Sequence, residues 1–289
     1  MQLEDWKKVA FELATYRQKT GFSPQIMLWG GEPLICPFFE ELVVFLRENG
    51  FELGMVTNGT MINRFPDLIA KEFKHIYVSV DGDREIHDAI RGVGVFDAVA
   101  KNLEMIYKKG VYISLNTVIT EDYISSYDSI LREMSLLSCD EIILQEMIVL
   151  DDDEISQYKK WMKDCFDINA SEIESWKGHI DNSEKINAKK QEMLKNIKEN
   201  NYSKPIKYLP HTEGDIYCQS PFLHMHIAWN GNVLYCTDFY DFSAGNVRED
   251  NVISIFNNSR SEKFREEIKN GHSAACKHCS WRNSKTFKM

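Results

Sequence analysis

Between residues 25 and 150, apolar runs and helical patterns alternate along the chain. QIMLW (25–29), ELGMVT (52–57), HIYVSV (75–80), YISLNTVI (112–119) and EIILQEMIV (141–149) show no period-two alternation. Runs of that kind suit strands buried on both faces of a parallel sheet. Between them apolar residues recur at helical spacing: Leu42, Val43, Phe45 and Leu46; then Phe96, Val99, Leu103 and Ile106; then Ile124, Tyr127, Leu131 and Met134. Strand–helix alternation predicts right-handed βαβ units, in an open doubly wound sheet or a barrel. Before them, Trp6, Val9, Ala10, Leu13 and Ala14 share one face of an expected N-terminal amphipathic helix.

The texture changes after residue 150. LDDDEISQYKKWMKDCF and EKINAKKQEMLKNIKEN read as charged helices, a connector with a solvated face. HMHIAWNGNVLYC places two short apolar runs around Asn230-Gly231, a strong hairpin signal. A helical stretch, ISIFNNSRSEKFREEIKN, follows, and then CKHC. The expected domains are 1–150, a connector at 151–212, and a small cysteine-rich α+β module at 213–289.

Composition narrows the class. A hydrophobic fraction of 43% with 27% charged residues fits a globular protein, and a net charge of -10 without a basic stripe argues against nucleic acid as a partner. No run is long enough to span a membrane, and the first residues lack the pattern of a signal peptide. The expected location is cytoplasmic, where structural disulfides are rare, so the seven cysteines need another explanation.

Candidate chemistry gathers at predicted strand ends, the ligand face of parallel βα folds. WGGEP (29–33), TNGT (57–60) and SVDGD (79–83) each end a run; Asn116 lies within the fourth, and Gln145 and Glu146 close the fifth. In GGEP, two glycines allow close approach to backbone, and Pro33 fixes the loop. For TNGT a plain tight turn is the simpler reading. At the other end, Cys218, Cys236, Cys276 and Cys279 form C-x17-C…C-x-x-C. Four thiolates suit either a fully ligated iron–sulfur cluster or structural zinc, and spacing alone does not choose. His224 and His226 alternate on a predicted strand and read as packing residues. Cys139 and Cys165 read as small buried residues.

WGGEPL, VTNGT and VSVDGDREIHDAIRG, in that order, together with the C-terminal cysteines, resemble the radical S-adenosylmethionine (SAM) superfamily, in the branch with SPASM or twitch modules. The resemblance implies a partial (β/α) TIM-like barrel of parallel strands, here lacking its first strand. It implies that backbone groups of Gly30, Gly31 and Glu32 receive the SAM ammonium, with Pro33, Asn58 and Asp81 beside them. Ser79 and Arg91 are implied for the SAM carboxylate and Asn116 for the ribose. It makes Cys218, Cys236, Cys276 and Cys279 ligands of an auxiliary [4Fe-4S] cluster in a one-cluster, twitch-like form. Asp238, Tyr240 and Asp241, close after Cys236, are weak candidates for a base. The implied activity is hydrogen abstraction by a 5′-deoxyadenosyl radical, an oxidoreductase-type reaction on a small polyol or aminosugar or on a peptide. The electron donor would be a flavodoxin or ferredoxin.

One departure stands out. The family's C-x-x-x-C-x-x-C motif, which holds the SAM-chelating [4Fe-4S] cluster, is absent, and no cysteine precedes Cys36. The expectation is a fragment whose Met1 is an internal methionine, inactive alone. The alternative is a degenerate, non-catalytic binding protein with one structural iron–sulfur or zinc site.

Overall fold

The computed structural model describes residues 1–179, 184–199, 202–211, 218–238, 240–270 and 274–279. In chain order the elements are α1 (Leu3–Thr20), β1 (Ile26–Leu28), α2 (Phe39–Glu48), β2 (Leu53–Thr57), α3 (Pro66–Glu72), β3 (Phe73–Ser79), α4 (Arg84–Arg91) and α5 (Val95–Tyr107). Then come β4 (Tyr112–Ile119), α6 (Glu121–Ser125), α7 (Tyr127–Met134), β5 (Glu141–Glu146), α8 (Asp152–Phe166), α9 (Glu184–Lys198) and β6 (Ile206–Leu209). The last are α10 (Ser220–Leu223), β7 (His226–Ile227), β8 (Asn232–Leu234), β9 (Gly245–Asn246), α11 (Val252–Phe256) and α12 (Ser259–Asn270). The chain divides into two compact units.

One unit comprises Pro24–Met147 and Asp181–Leu209. Its six strands are all parallel and pair in strict sequence order, β1 through β6. A doubly wound sheet would reverse that order; a (β/α) barrel does not. All five apolar runs became strands. β5 is buried along its whole length, as an inner parallel strand must be. The helices cover the sheet with the predicted stripes: Phe96, Val99, Leu103 and Ile106 of α5 are all buried, each such side chain contributing about 1.5–3 kcal/mol. Local signals set the helix starts. Asp83 accepts from Ile86 N–H at 3.1 Å to cap α4, and Thr120 accepts from Tyr123 N–H at 3.2 Å to cap α6.

The other unit comprises Met1–Ser23, Ile148–Ile180 and Pro210–Met289. Its three-stranded antiparallel sheet runs β7-β8-β9; the turn at Asn230-Gly231 joins β7 to β8, with Ile227 opposite Val233. The core is aromatic: Phe242 and Phe264 centroids lie 4.3 Å apart, and Phe166 lies 4.9 Å from Phe242.

This division differs from the sequence partition at 150 and 212. α1 clusters with the C-terminal module: Val9 enters that core, Lys8 Nζ donates to Val247 O at 2.8 Å, and Glu12 accepts from Val252 N–H at 2.8 Å, at the start of α11. The expected connector is shared out. α8 buries Ile155, Tyr158, Met162 and Phe166 in the C-terminal unit's core, whereas α9 and β6 complete the parallel sheet unit. Residues 213–217, 239, 271–273 and 280–289 of the expected module lie outside the described residues. Among the described residues, no helix is long and apolar enough to cross a membrane.

Candidate functional site

Two groups of side chains carry chemistry, one in each unit. In the parallel unit the glycines after β1 adopt φ of 98° at Gly30 and 55° at Gly31. A Cβ built on either would meet nothing within 4 Å, so their backbone faces open space. Gly59 in TNGT is the opposite case: a Cβ there would lie 2.8 Å from Val78 Cγ1. Close packing requires that glycine, and the turn reading of TNGT fits it.

Glu32 ties the two loops together. Its Oε1 accepts from Leu34 N–H at 3.1 Å and from Thr57 Oγ1 at 2.8 Å, and its Oε2 accepts from Asn58 N–H at 2.7 Å. The Asn58 side chain is held locally, accepting from Thr60 N–H at 2.9 Å and Thr60 Oγ1 at 2.7 Å; this Asx turn shapes the loop. Asn102, which sequence reasoning passed over, holds the loop from α5, donating to Gly59 O at 2.9 Å and Thr60 O at 3.1 Å. A polar residue beside Leu103 on an otherwise apolar stripe was the available signal.

After β3, Arg91 binds Asp81 through both Nε and Nη2, the latter at 3.0 Å. The arginine implied for a ligand carboxylate therefore already holds one from its own chain. Burial would raise the Asp81 pKa, but His87 and the Arg91 guanidinium hold it well below the usual carboxylate range. His87, fully buried, has its Nδ1 3.1 Å from Asp81 N and 3.3 Å from Asp81 Oδ2. Ser79 lies opposite Asn116 on the neighbouring strand. Asn116 Oδ1 is buried with no hydrogen-bond donor among the described residues. Glu146 is occupied by Tyr208 and Lys190, which makes it part of the α9–β6 packing.

In the other unit the Cys276–Cys279 turn is closed by Cys279 N–H donating to Cys276 O at 3.2 Å. The Cys236 thiol is pushed well up, first by burial, then by the charges of Asp238, Cys279 and Cys276. These thiols therefore share one electrostatic neighbourhood, and Cys218 and Cys236 both pack on the same core. Zinc needs its sulfurs about 2.3 Å from one point; among the described residues no three His, Cys, Asp or Glu side chains form a group able to hold a metal ion. Cys139 lies in the parallel-sheet unit, and Cys165 packs on the same core as Cys218 and Cys236. Burial pushes the Cys139 thiol up to about 11, and Cys165 Sγ donates to Glu267 Oε2 at 3.3 Å.

The three residues suggested as a base differ. Asp241 Oδ1 accepts from Ser171 N–H at 2.7 Å and Glu172 N–H at 3.0 Å, a structural capping role. Asp238 Oδ2 and Asp241 Oδ2 are both buried with no hydrogen-bond partner among the described residues, and burial pushes the Asp238 pKa up to about 6. Tyr240 is about half exposed.

The sequence model of the Radical SAM superfamily matches residues 2–133, and that of the SPASM iron–sulfur cluster-binding domain matches residues 218–280. Together they take in more than half of the chain. Residues 2–133 thus carry a radical SAM domain and residues 218–280 a SPASM domain, and these domains imply SAM and iron–sulfur clusters as cofactors. Among curated relatives, the Fe-coproporphyrin III synthase of Methanosarcina barkeri is 32% identical over 133 residues, 45% of this chain and 32% of that protein. The mycofactocin maturase MftC of Mycobacterium tuberculosis is 31% identical over 109 residues, 36% of this chain and 27% of that protein. The matched stretch thus spans about a third of each relative's length. Among solved structures, Streptococcus suis SuiB bound to precursor peptide SuiA matches with a TM-score of 0.63 at 14% identity, over 92% of this chain and 60% of that one. The anSMEcpe structure with bound AdoMet and Cp18Cys peptide matches with a TM-score of 0.60 at 17% identity, over 97% of this chain and 79% of that one. These likenesses establish the fold.

The residues of this radical SAM chain fit both groups. The open backbone at Gly30 and Gly31 leaves room for a ligand, and the unmet acceptor on Asn116 calls for a donor such as a ribose hydroxyl. Burial and the charges of Asp238, Cys279 and Cys276 disfavour the Cys236 thiolate, and bound iron would offset that.

Proposed function

We propose that this chain is part of an enzyme that modifies its substrate by hydrogen abstraction. SAM sits over Gly30–Pro33 and an auxiliary [4Fe-4S] cluster sits on Cys218, Cys236, Cys276 and Cys279. When bound, SAM with its chelating cluster supplies a 5′-deoxyadenosyl radical, and the auxiliary cluster supplies an electron acceptor for a net oxidation. The observation that carries this reading is the unmet acceptor of Asn116 within β4, in a sheet whose first strand leads into an open glycine backbone.

In this reading the chain's own residues bind and orient. Carbonyl edges at Gly30–Glu32 receive the ammonium, and Ser79 reaches the carboxylate. Arg91, its charge shared with Asp81, orients that carboxylate at closer to neutral net charge than a lone arginine would. Glu32 and Asn102 do not touch SAM; they hold the TNGT loop in place. Of the acidic residues after Cys236, Asp238 is the proposed base, since burial raises its pKa and one oxygen of Asp241 is held by the 171–172 backbone. The three thiolates of the SAM-chelating cluster are not among these 289 residues; they would come from outside this sequence, and the polypeptide alone is inactive.

The substrate is a peptide or a small polyol or aminosugar. The peptide reading draws support from the precursor peptide bound by SuiB and from the maturase named among the relatives. The protein would act in the cytoplasm with a flavodoxin or ferredoxin as donor.

The test is 5′-deoxyadenosine formation with dithionite. This polypeptide should give none. A protein carrying it together with a C-x-x-x-C-x-x-C segment should give product that Asn116→Ala strongly reduces. Product from the polypeptide alone, or full activity of Asn116→Ala, would overturn the reading.

A further inference from the structure

Glu154, in the first turn of α8, uses its two carboxylate oxygens in different directions. Oε2 accepts from Asp151 N–H at 3.1 Å, while Asp151 Oδ1 accepts from Glu154 N–H at 2.8 Å, a reciprocal capping box. Oε1 lies 2.8 Å from His278 Nε2, and because a carboxylate only accepts, the imidazole donates. His278 stands between Cys276 and Cys279. Its ring also meets His211 edge-on, at 5.2 Å and 83°. The His278 and Glu154 side chains are 24% and 17% exposed, so water screens this contact only in part. A helix start is thus tied to the turn that carries two of the four cysteines.

We propose that Glu154, acting through His278, is a positioning residue for the auxiliary cluster: it fixes the Cys276–Cys279 turn, and its negative charge lowers the cluster's reduction potential. The inference rests on the reading that the four cysteines hold such a cluster. Residues behind the ligands orient them, and nearby charge sets how readily the cluster takes an electron. A carboxylate beside the turn disfavours the added electron. A neutral amide of the same shape can still cap the helix, since Gln serves in a capping box as Glu does.

The experiment is anaerobic reconstitution of the chain with iron and sulfide, iron counting, and a potential titration followed by EPR. The wild type should bind a four-iron cluster. E154Q should raise its potential; H278Q, which unties the carboxylate from the turn, should move it the same way by less and change the EPR line shape, and the double variant should shift little further than E154Q alone. E154D should stay nearer the wild-type potential. Asp151→Ala, which weakens only the helix cap, should lower stability and leave the potential alone. Wild-type protein that binds no cluster would sink the functional reading and this inference with it. A normal wild-type cluster whose potential is unmoved by E154Q and H278Q, or moved equally by Asp151→Ala, would sink this inference alone. Should E154Q fail to fold, H278Q decides by the same criterion.

Discussion

Gly59 closes the turn after β2 at a φ of 79°. A Cβ there would lie 2.8 Å from Val78 Cγ1 and 3.2 Å from Val99 Cγ1. Val78 is 0% exposed in β3 and Val99 1% exposed in α5, so neither can retreat. Gly59→Ala therefore carries two penalties. A left-handed backbone costs about 1–2 kcal/mol, and overpacking a filled core costs about 1–3 kcal/mol. Gly30→Ala, at a φ of 98° with nothing within 4 Å, carries only the first. For a protein of this size 1 kcal/mol moves the Tm by about 2–4 °C, so Gly59→Ala should melt roughly 2–12 °C below Gly30→Ala. Circular dichroism melts of the purified chain give the comparison. Adding Val78→Ala should relieve the overlap, so that it costs less in the Gly59→Ala background than in wild type, by about 1–3 kcal/mol. Equal melting of the two glycine variants, or additivity within about 0.5 kcal/mol, would refute the distinction between a packed glycine and an open one.

Other outcomes follow from the same structure. Asp81 is held below its ordinary pKa, so the stability it contributes is complete above about pH 4 and is lost as pH falls further towards the folded value. Asp81→Asn should thus melt below wild type at pH 7, and the gap should close on acidification below about pH 4; a gap that widens there contradicts the ion pair. Asn102→Ala leaves the Gly59 and Thr60 carbonyls without their side-chain donor and should cost about 1–3 kcal/mol in urea unfolding. Tyr235→Phe removes the buried hydroxyl contact to Ser261 Oγ at 2.8 Å, at a cost of about 1 kcal/mol by the same measurement. Cys236→Ala and Cys276→Ala should lower reconstituted iron, whereas Cys139→Ala should leave it unchanged.

Much of the sheet was legible because its signal is local. A run such as YISLNTVI needs no partner to declare itself a doubly buried strand, and Asn230-Gly231 declares its own turn. What escaped was set by packing at a distance. β6 is only Ile206–Leu209, too short to stand out after a charged helix, and it is defined by pairing with β5. The stripe on α1 was read correctly, but nothing in it names the surface it covers; Glu12 and Lys8 find theirs some 240 residues away, at Val252 and Val247. At the candidate site the residue types were visible and their partners were not. Nothing in the sequence shows that Asp81 lies on Arg91, or that one oxygen of Asp241 meets the backbone of Ser171 and Glu172.

The separation between Glu12 and its partner has a consequence for how the molecule is made. Glu12 and Val252 lie 240 residues apart, so at about 5–20 residues per second a ribosome needs roughly 10–50 s to deliver the second after the first. Throughout that interval the parallel strands can join their neighbours one after another as they emerge, while the apolar side of α1 has nowhere to go. Nascent chains stalled shortly before Val252 should therefore be the ones most dependent on a chaperone, and the most readily cut by protease near the N-terminus.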